Sequence, residues 1–102
     1  MSRKERKERA DRRRLEIAGS LRRYMKEVAE DISDVAMEAD IRWVHILTKG
    51  DLWVQEKMKQ FPQEAHMYRS AAFIVKSAIL EELKKEKITT YNREERSWEW
   101  NF

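Results

Sequence analysis

Four carboxylates recur in residues 27–38 at a spacing that chemistry could use. Glu27, Asp31, Asp34 and Glu38 stand at i, i+4, i+7 and i+11, and Arg42 and His45 continue the line. On a helix these positions share one face, and a row of carboxylates with a histidine is the raw material of a metal site. Helical bundles that bind metal in their core use a Glu-x-x-His pair. Here the residues three before His45 and His66 are Arg42 and Gln63. The row therefore reads as a solvated acidic face, with no metal and no cofactor expected. Acids at (i, i+3) and (i, i+4) repel one another, so a basic partner would relieve them. The N-terminal arm is the obvious one, folded back or donated by a second subunit.

That arm is the second chemical feature. Residues 1–14 carry eight basic side chains (Arg3, Lys4, Arg6, Lys7, Arg9, Arg12, Arg13 and Arg14) against three acids, while the rest of the chain is net −2. Attraction to nucleic acid would rest on this arm and on local patches, not on overall charge. Glu5 with Arg9 and Glu8 with Arg12 are (i, i+4) pairs in the order that favours helix. The basic residues point all around the helix axis, a pattern suited to sequence-independent phosphate contact.

Catalysis finds little to work with. The chain has no cysteine, its two glycines are isolated at 19 and 50, and neither histidine neighbours a recognisable nucleophile. No Gly-rich phosphate loop is present, and the protein is not expected to be an enzyme. No apolar run approaches the roughly 18 residues of a membrane span, and no apolar segment follows the basic start as a signal peptide requires. The absence of cysteine fits a cytoplasmic protein with no membrane partner.

The elements that must position these residues follow from composition and period. Hydrophobic residues make up 41% of the chain and charged ones 40%, with two Gly and one Pro, which predicts a mainly α protein. Residues 1–14 are expected to form a helical or flexible arm, and residues 15–102 a single helical domain. Leu21, Met25, Val28, Ile32, Val35, Ala36, Ala39, Trp43 and Ile46 follow a 3.6-residue period. They predict a helix over about 13–48, in one piece or broken near Ser33, ending at Lys49-Gly50. A helix-turn-helix over Val35 to Leu47 would suit the small positions but not Asp40 or Lys49. A plain amphipathic helix serves the same residues. Asp51 would cap a short helix over 52–60, ended by Phe61-Pro62.

A third helix is expected over 63–87, with Ala65, Tyr68, Ala72, Val75, Ile79 and Leu83 in one row and Met67, Ala71, Ile74 and Ala78 widening the apolar core arc to nearly half its circumference. Its remaining strip holds His66, Arg69, Ser70, Phe73, Lys76, Ser77, Leu80 and Lys84. Phe73 and Leu80 are the apolar residues out of place there, and with Trp98 and Trp100 they are candidate interface anchors. After residue 87 the period becomes two. Ile88-Thr-Thr-Tyr91 and alternating Trp98, Trp100 and Phe102 predict a C-terminal β-hairpin over about 88–91 and 97–101, with its aromatic face on the helices or free to stack on bases.

Helix, turn, longer helix and short hairpin is an order that resembles winged helix-turn-helix domains, over roughly residues 47–102. Ile79-Leu80-Glu-Glu-Leu83, then Ile88, then Trp98-Glu-Trp100, looks like a recognition helix running into a wing. The resemblance implies contacts from His66, Arg69, Ser70, Lys76 and Ser77, with Arg93 and Arg96 reaching phosphates from the wing. The length of the helix, a preceding turn without Gly, and Phe73 and Leu80 on the groove-facing strip depart from that pattern. Two readings stand. One is a small nucleic-acid-binding regulator using arm and wing. The other is a protein-interaction module or inhibitor, a homodimer through Phe73, Leu80 and the Trp-rich tail.

Overall fold

The basic arm is the start of a helix. The computed structural model describes residues 2–32 and 38–101, with Ala39 and Asp40 described by their backbone only. Helix α1 runs uninterrupted over Arg3–Ile32. Ser2 caps it, its Oγ accepting the Glu5 N–H at 3.2 Å, as an N-cap serine does for the third helical residue. Residues 2–9 are exposed, and burial begins where Ile17, Ala18, Leu21, Met25 and Ile32 turn inward. At the far end, in the last described turn, Arg42 Nη2 donates to the Ala29 carbonyl at 3.1 Å.

Helix α2 spans Ala39–Gln60, and this corrects two expectations. The helix expected to end at Lys49-Gly50 continues, and Asp51 is an interior residue rather than a cap. The apolar face explains why: Trp43, Ile46, Leu47, Gly50, Val54 and Met58 keep one period across the glycine. Gly50 itself is buried, and a Cβ there would sit 3.3 Å from Met25 Sδ. The glycine is a close-approach point for α1, not a stop. Continuous helix from Ala39 also removes the turn that a helix-turn-helix over 35–47 would need at Asp40. Ser33, Asp34, Val35 and Ala36, with the proposed Ser33 break, lie outside the described residues, as does Phe102.

Phe61 and a 3-10 turn at Pro62–Glu64 lead into α3, Ala65–Lys85. Contacts fix the directions of the three helices. Arg13 meets Glu64 and Tyr68 near the start of α3, while Arg22 and Met25 share a cavity with Val75 and Ile79 further along it. Helices α1 and α3 therefore run parallel. Tyr68 stands against Phe61 and Trp53, and Lys76 reaches Asp51, so α2 runs antiparallel to α3 over some ten residues. The result is an up-down-up bundle. A helix-turn-helix unit crosses its helices at about 90–120°; here α2 and α3 lie alongside each other. The winged-helix likeness is one of element order and of the terminal hairpin.

Helix α3 ends in an αL cap. Lys87, at φ 62°, donates its N–H to Lys84, and Ile88 donates to Leu83, the double bond of a Schellman motif. Strands β1 (Thr89–Asn92) and β2 (Ser97–Trp100) then pair antiparallel, Thr89 opposite Trp100 and Tyr91 opposite Trp98. Thr89 is buried and its Oγ1 donates to the Leu80 carbonyl at 3.0 Å. Trp98 and Trp100 pack against the helical core. A two-stranded hairpin is marginal alone, and this contact with α3 is what makes it part of the domain.

Gly19 offers a direct check on α1. Its helical position is open, with nothing within 4 Å of an added Cβ. Gly19→Ala should stabilise the protein by about 0.8–1 kcal/mol, or roughly 4–8 °C in Tm. The same change at Gly50 should gain less because Met25 must move. Thermal melts of both variants test this; equal gains would mean that α1 and α2 are not in close contact there.

Candidate nucleic-acid interface

The fold divides the candidate residues into three places. At the arm, Arg13 is structural. Its Nε donates to Glu64 Oε2 at 2.8 Å and its Nη2 to Glu64 Oε1 at 3.3 Å, with Tyr68 Oη 3.4 Å away and Glu16 3.2 Å from Nη1. Arg14 pairs with Asp11 at 2.8 Å. Arg3, Lys4, Arg6, Lys7, Arg9 and Arg12 are exposed and hold no ion pair among the described residues. The arm's available charge is therefore six cations on a helical stalk, not eight on a loose tail.

The continuous helix also decides where the arm can reach. Arg9 and Glu27 are separated by about 27 Å along α1, so the arm does not fold back onto its own acidic row. Glu27 and Asp31 instead line a cavity with His45 and Lys49. Asp34 lies outside the described residues, and among those described no group of three or more His, Cys, Asp or Glu side chains is placed to hold a metal. No described helix is long and apolar enough to cross a membrane.

The second place is a groove. The hairpin folds back along α3, and between it, α3 and α2 opens a cavity of about 570 Å³. Seven residues singled out in the sequence meet in its lining: Arg69, Phe73, Lys76, Ser77 and Leu80 from α3, and Arg96 and Trp98 from the hairpin. Lys76 is tied to Asp51 at 3.1 Å across α2. Arg69 and Arg96 are exposed and have no carboxylate partner among the described residues. With three cations and one carboxylate the lining carries a net charge of +2. Tyr91 lies against Trp98, ring centroids 5.2 Å apart, and both rings line the cavity with the two arginines. Nothing in the sequence marked Tyr91 or Gln55 as lining; only the hairpin register and the run of α2 past Gly50 bring them there.

No known protein family, no curated protein and no solved structure matches this chain.

The turn at the groove's mouth is held in an unusual shape. Asn92 Oδ1 accepts the N–H groups of Glu94 and Glu95 at 3.0 and 3.1 Å, an Asx-type turn. Arg96 closes it at φ 52°, a conformation that glycine adopts freely and other L-residues at a cost. Arg93, at the tip, is exposed.

The third place corrects the interface expectation. Leu80, expected to be out of place on a polar strip, is only 9% exposed because the hairpin covers it. Trp98 and Trp100 are half-buried against the core and are not free anchors. Phe73 alone remains open, at 74% exposure, and its neighbour Ile74, which the sequence reading assigned to the core arc, joins it at 49%.

The Arg13–Glu64 bridge has a pH signature. Hydrogen bonding from Arg13 holds the Glu64 carboxyl below the usual carboxylate range, against a smaller opposing effect of burial. The folded protein thus binds this proton less tightly than the unfolded chain. The stability it contributes is present above the unfolded value near ~4.3 and is lost as pH falls through the lower folded value. Thermal melts from about pH 6 to pH 2.5 should show wild type and Glu64→Gln converging as the acid limit is approached. A gap that stays constant would mean that the bridge does not set this dependence.

Proposed function

We propose that the protein binds single-stranded nucleic acid in the groove between α3 and the hairpin, with the exposed turns of α1 adding phosphate contacts. The observation that carries this reading is the pair of guanidinium groups, Arg69 and Arg96, with no carboxylate partner among the described residues, on a groove that Tyr91 and Trp98 also line. Two cations facing one cavity repel each other, and an anionic strand between them relieves that repulsion. Guanidinium groups bind phosphate oxygens with two parallel hydrogen bonds. Exposed aromatic edges accept bases without sequence preference.

A single strand suits the groove better than a duplex. Reading a major groove would require Lys76 and Leu80 of α3 to be free to face outward, and here Leu80 is covered by the hairpin and Lys76 is engaged by Asp51. The protein acts by binding and not by catalysis in this reading, which is that of a small regulatory or accessory protein.

Fluorescence anisotropy with labelled single-stranded and duplex oligonucleotides at ~50 and ~200 mM salt tests the proposal. Single strand should bind more tightly than duplex, with Arg69→Glu weakening it about tenfold and lowering the salt slope. No binding at the lower salt, or tighter binding of duplex, defeats the reading.

Arg96→Gly provides a separate check, because the two effects of that change have opposite signs. Relief of the αL backbone should raise stability by about 1 kcal/mol, while loss of the guanidinium should lower affinity. A variant that is more stable and binds as well as wild type shows Arg96 to have no part in binding.

A further inference from the structure

The outer face of α3 is left uncovered by α1, α2 and the hairpin, and it is not simply polar. His66, Ser70, Phe73, Ile74, Ser77 and Glu81 lie along it, with Ser70 and Ser77 half-buried and the other four exposed. An aromatic side chain buries about 150–250 Å² when covered, so Phe73 at 74% exposure leaves on the order of 110–185 Å² open. Phe73 stacks on no other ring among the described residues. Neither residue is needed to complete the core of the monomer.

The order of residues on this face is symmetric about its own centre. Ser70 and Ser77 are equally distant from the Phe73-Ile74 pair, and so are His66 and Glu81. We propose that a second copy of this chain covers the face, with the two α3 helices packed antiparallel about a dyad between Phe73 and Ile74. Three features select a second copy over an unrelated partner. The small Ser70 lies level with Ser77 of the second copy, so the helices can approach closely along the midline. Phe73 meets the second Phe73 on one side of that line, and Ile74 meets the second Ile74 on the other. His66 lies level with Glu81 of the second copy, at each end a pair of imidazole donor and carboxylate acceptor. Antiparallel helices also place opposite ends of their dipoles together.

The dyad has a further effect on the groove side. It is perpendicular to both helices, so what lies above α3 in one copy lies above α3 in the other. The two hairpins and their grooves therefore open on the same side of the dimer, next to the Phe73 pair. Phe73 and Ser77 belong both to this face and to the groove lining, whereas Ile74 belongs to the face alone, so a change at Ile74 tests the pairing without altering the groove.

Sedimentation over ~1–200 µM protein tests the pairing, the range expected for a small interface of this kind. Mass should rise from monomer to dimer for wild type. Ile74→Glu should remain monomeric with an unchanged circular dichroism melt, since Ile74 is exposed in the monomer. The chain has no cysteine, so engineered thiols report the register. Ser70→Cys combined with Ser77→Cys should form an intermolecular disulfide on mild oxidation. Ser70→Cys alone should not, because its two copies lie about 10 Å apart along the helices, beyond the span of a disulfide. A monomeric wild type over the whole range overturns the proposal. Dimerisation of Ile74→Glu as strong as wild type, or crosslinking of Ser70→Cys alone, overturns it equally.

Discussion

Tyr68 is the point at which the three helices are tied together, because its ring and its hydroxyl reach different elements. The ring lies 6.0 Å from Trp53 of α2 and 6.2 Å from Phe61, and Trp53 in turn stacks on Tyr24 of α1. The hydroxyl sits by Arg13, whose guanidinium is shared with Glu64 at the entrance to α3. A chain in which two residues in five are charged has few large apolar groups to spend on any one junction. Here four aromatic rings and one bidentate ion pair fix the end of the bundle at which all three helices meet. Lys57 lies over both Trp53 and Phe61 at 5.5 and 5.8 Å, so its charge stays near solvent while its stem covers the rings.

The other end of α3 is fastened differently. There the hairpin supplies the cover, through one buried hydroxyl from Thr89 to the Leu80 carbonyl and two tryptophans against the core. Because the hairpin folds back toward the start of α3, it shields Leu80 yet stands away from the helix far enough to leave the groove open. Structural cover and candidate site are thus made by the same two strands. Residues that would otherwise be scattered on a helix face become one wall of a cavity.

Much of this was legible in the sequence. The helical periods, the break at Phe61-Pro62, and the change to alternation after residue 87 all appear as elements, with the strands within one residue of their expected bounds. The misreadings have a common physical origin. Gly50 looked like a terminator because an isolated glycine carries no sign of whether its missing Cβ ends a helix or admits a neighbour; only Met25 on α1 distinguishes the two. Leu80 looked exposed because its cover comes from Thr89, Tyr91 and Trp98, whose register no local pattern supplies. Arg13 looked like any other basic residue of the arm until Glu64, 51 positions away, was brought beside it. Ile74 was assigned to the core arc, yet α1 covers only part of that arc.

Helix α1 also carries its charges in an order opposed to its own backbone. Arg3 and Lys4 open its first turn, and Glu30 and Asp31 stand in its last. Aligned peptide dipoles make the start of a helix electropositive and its end electronegative, and each such misplaced charge costs some 0.3–1 kcal/mol. Ser2 holds the first turn in place against that repulsion. A polyanion laid along residues 3–9 would meet both the side-chain charge and the free N–H groups of the same turns. Occupancy would then tighten the helix that receives it, so that binding at this end and order at this end are thermodynamically one event.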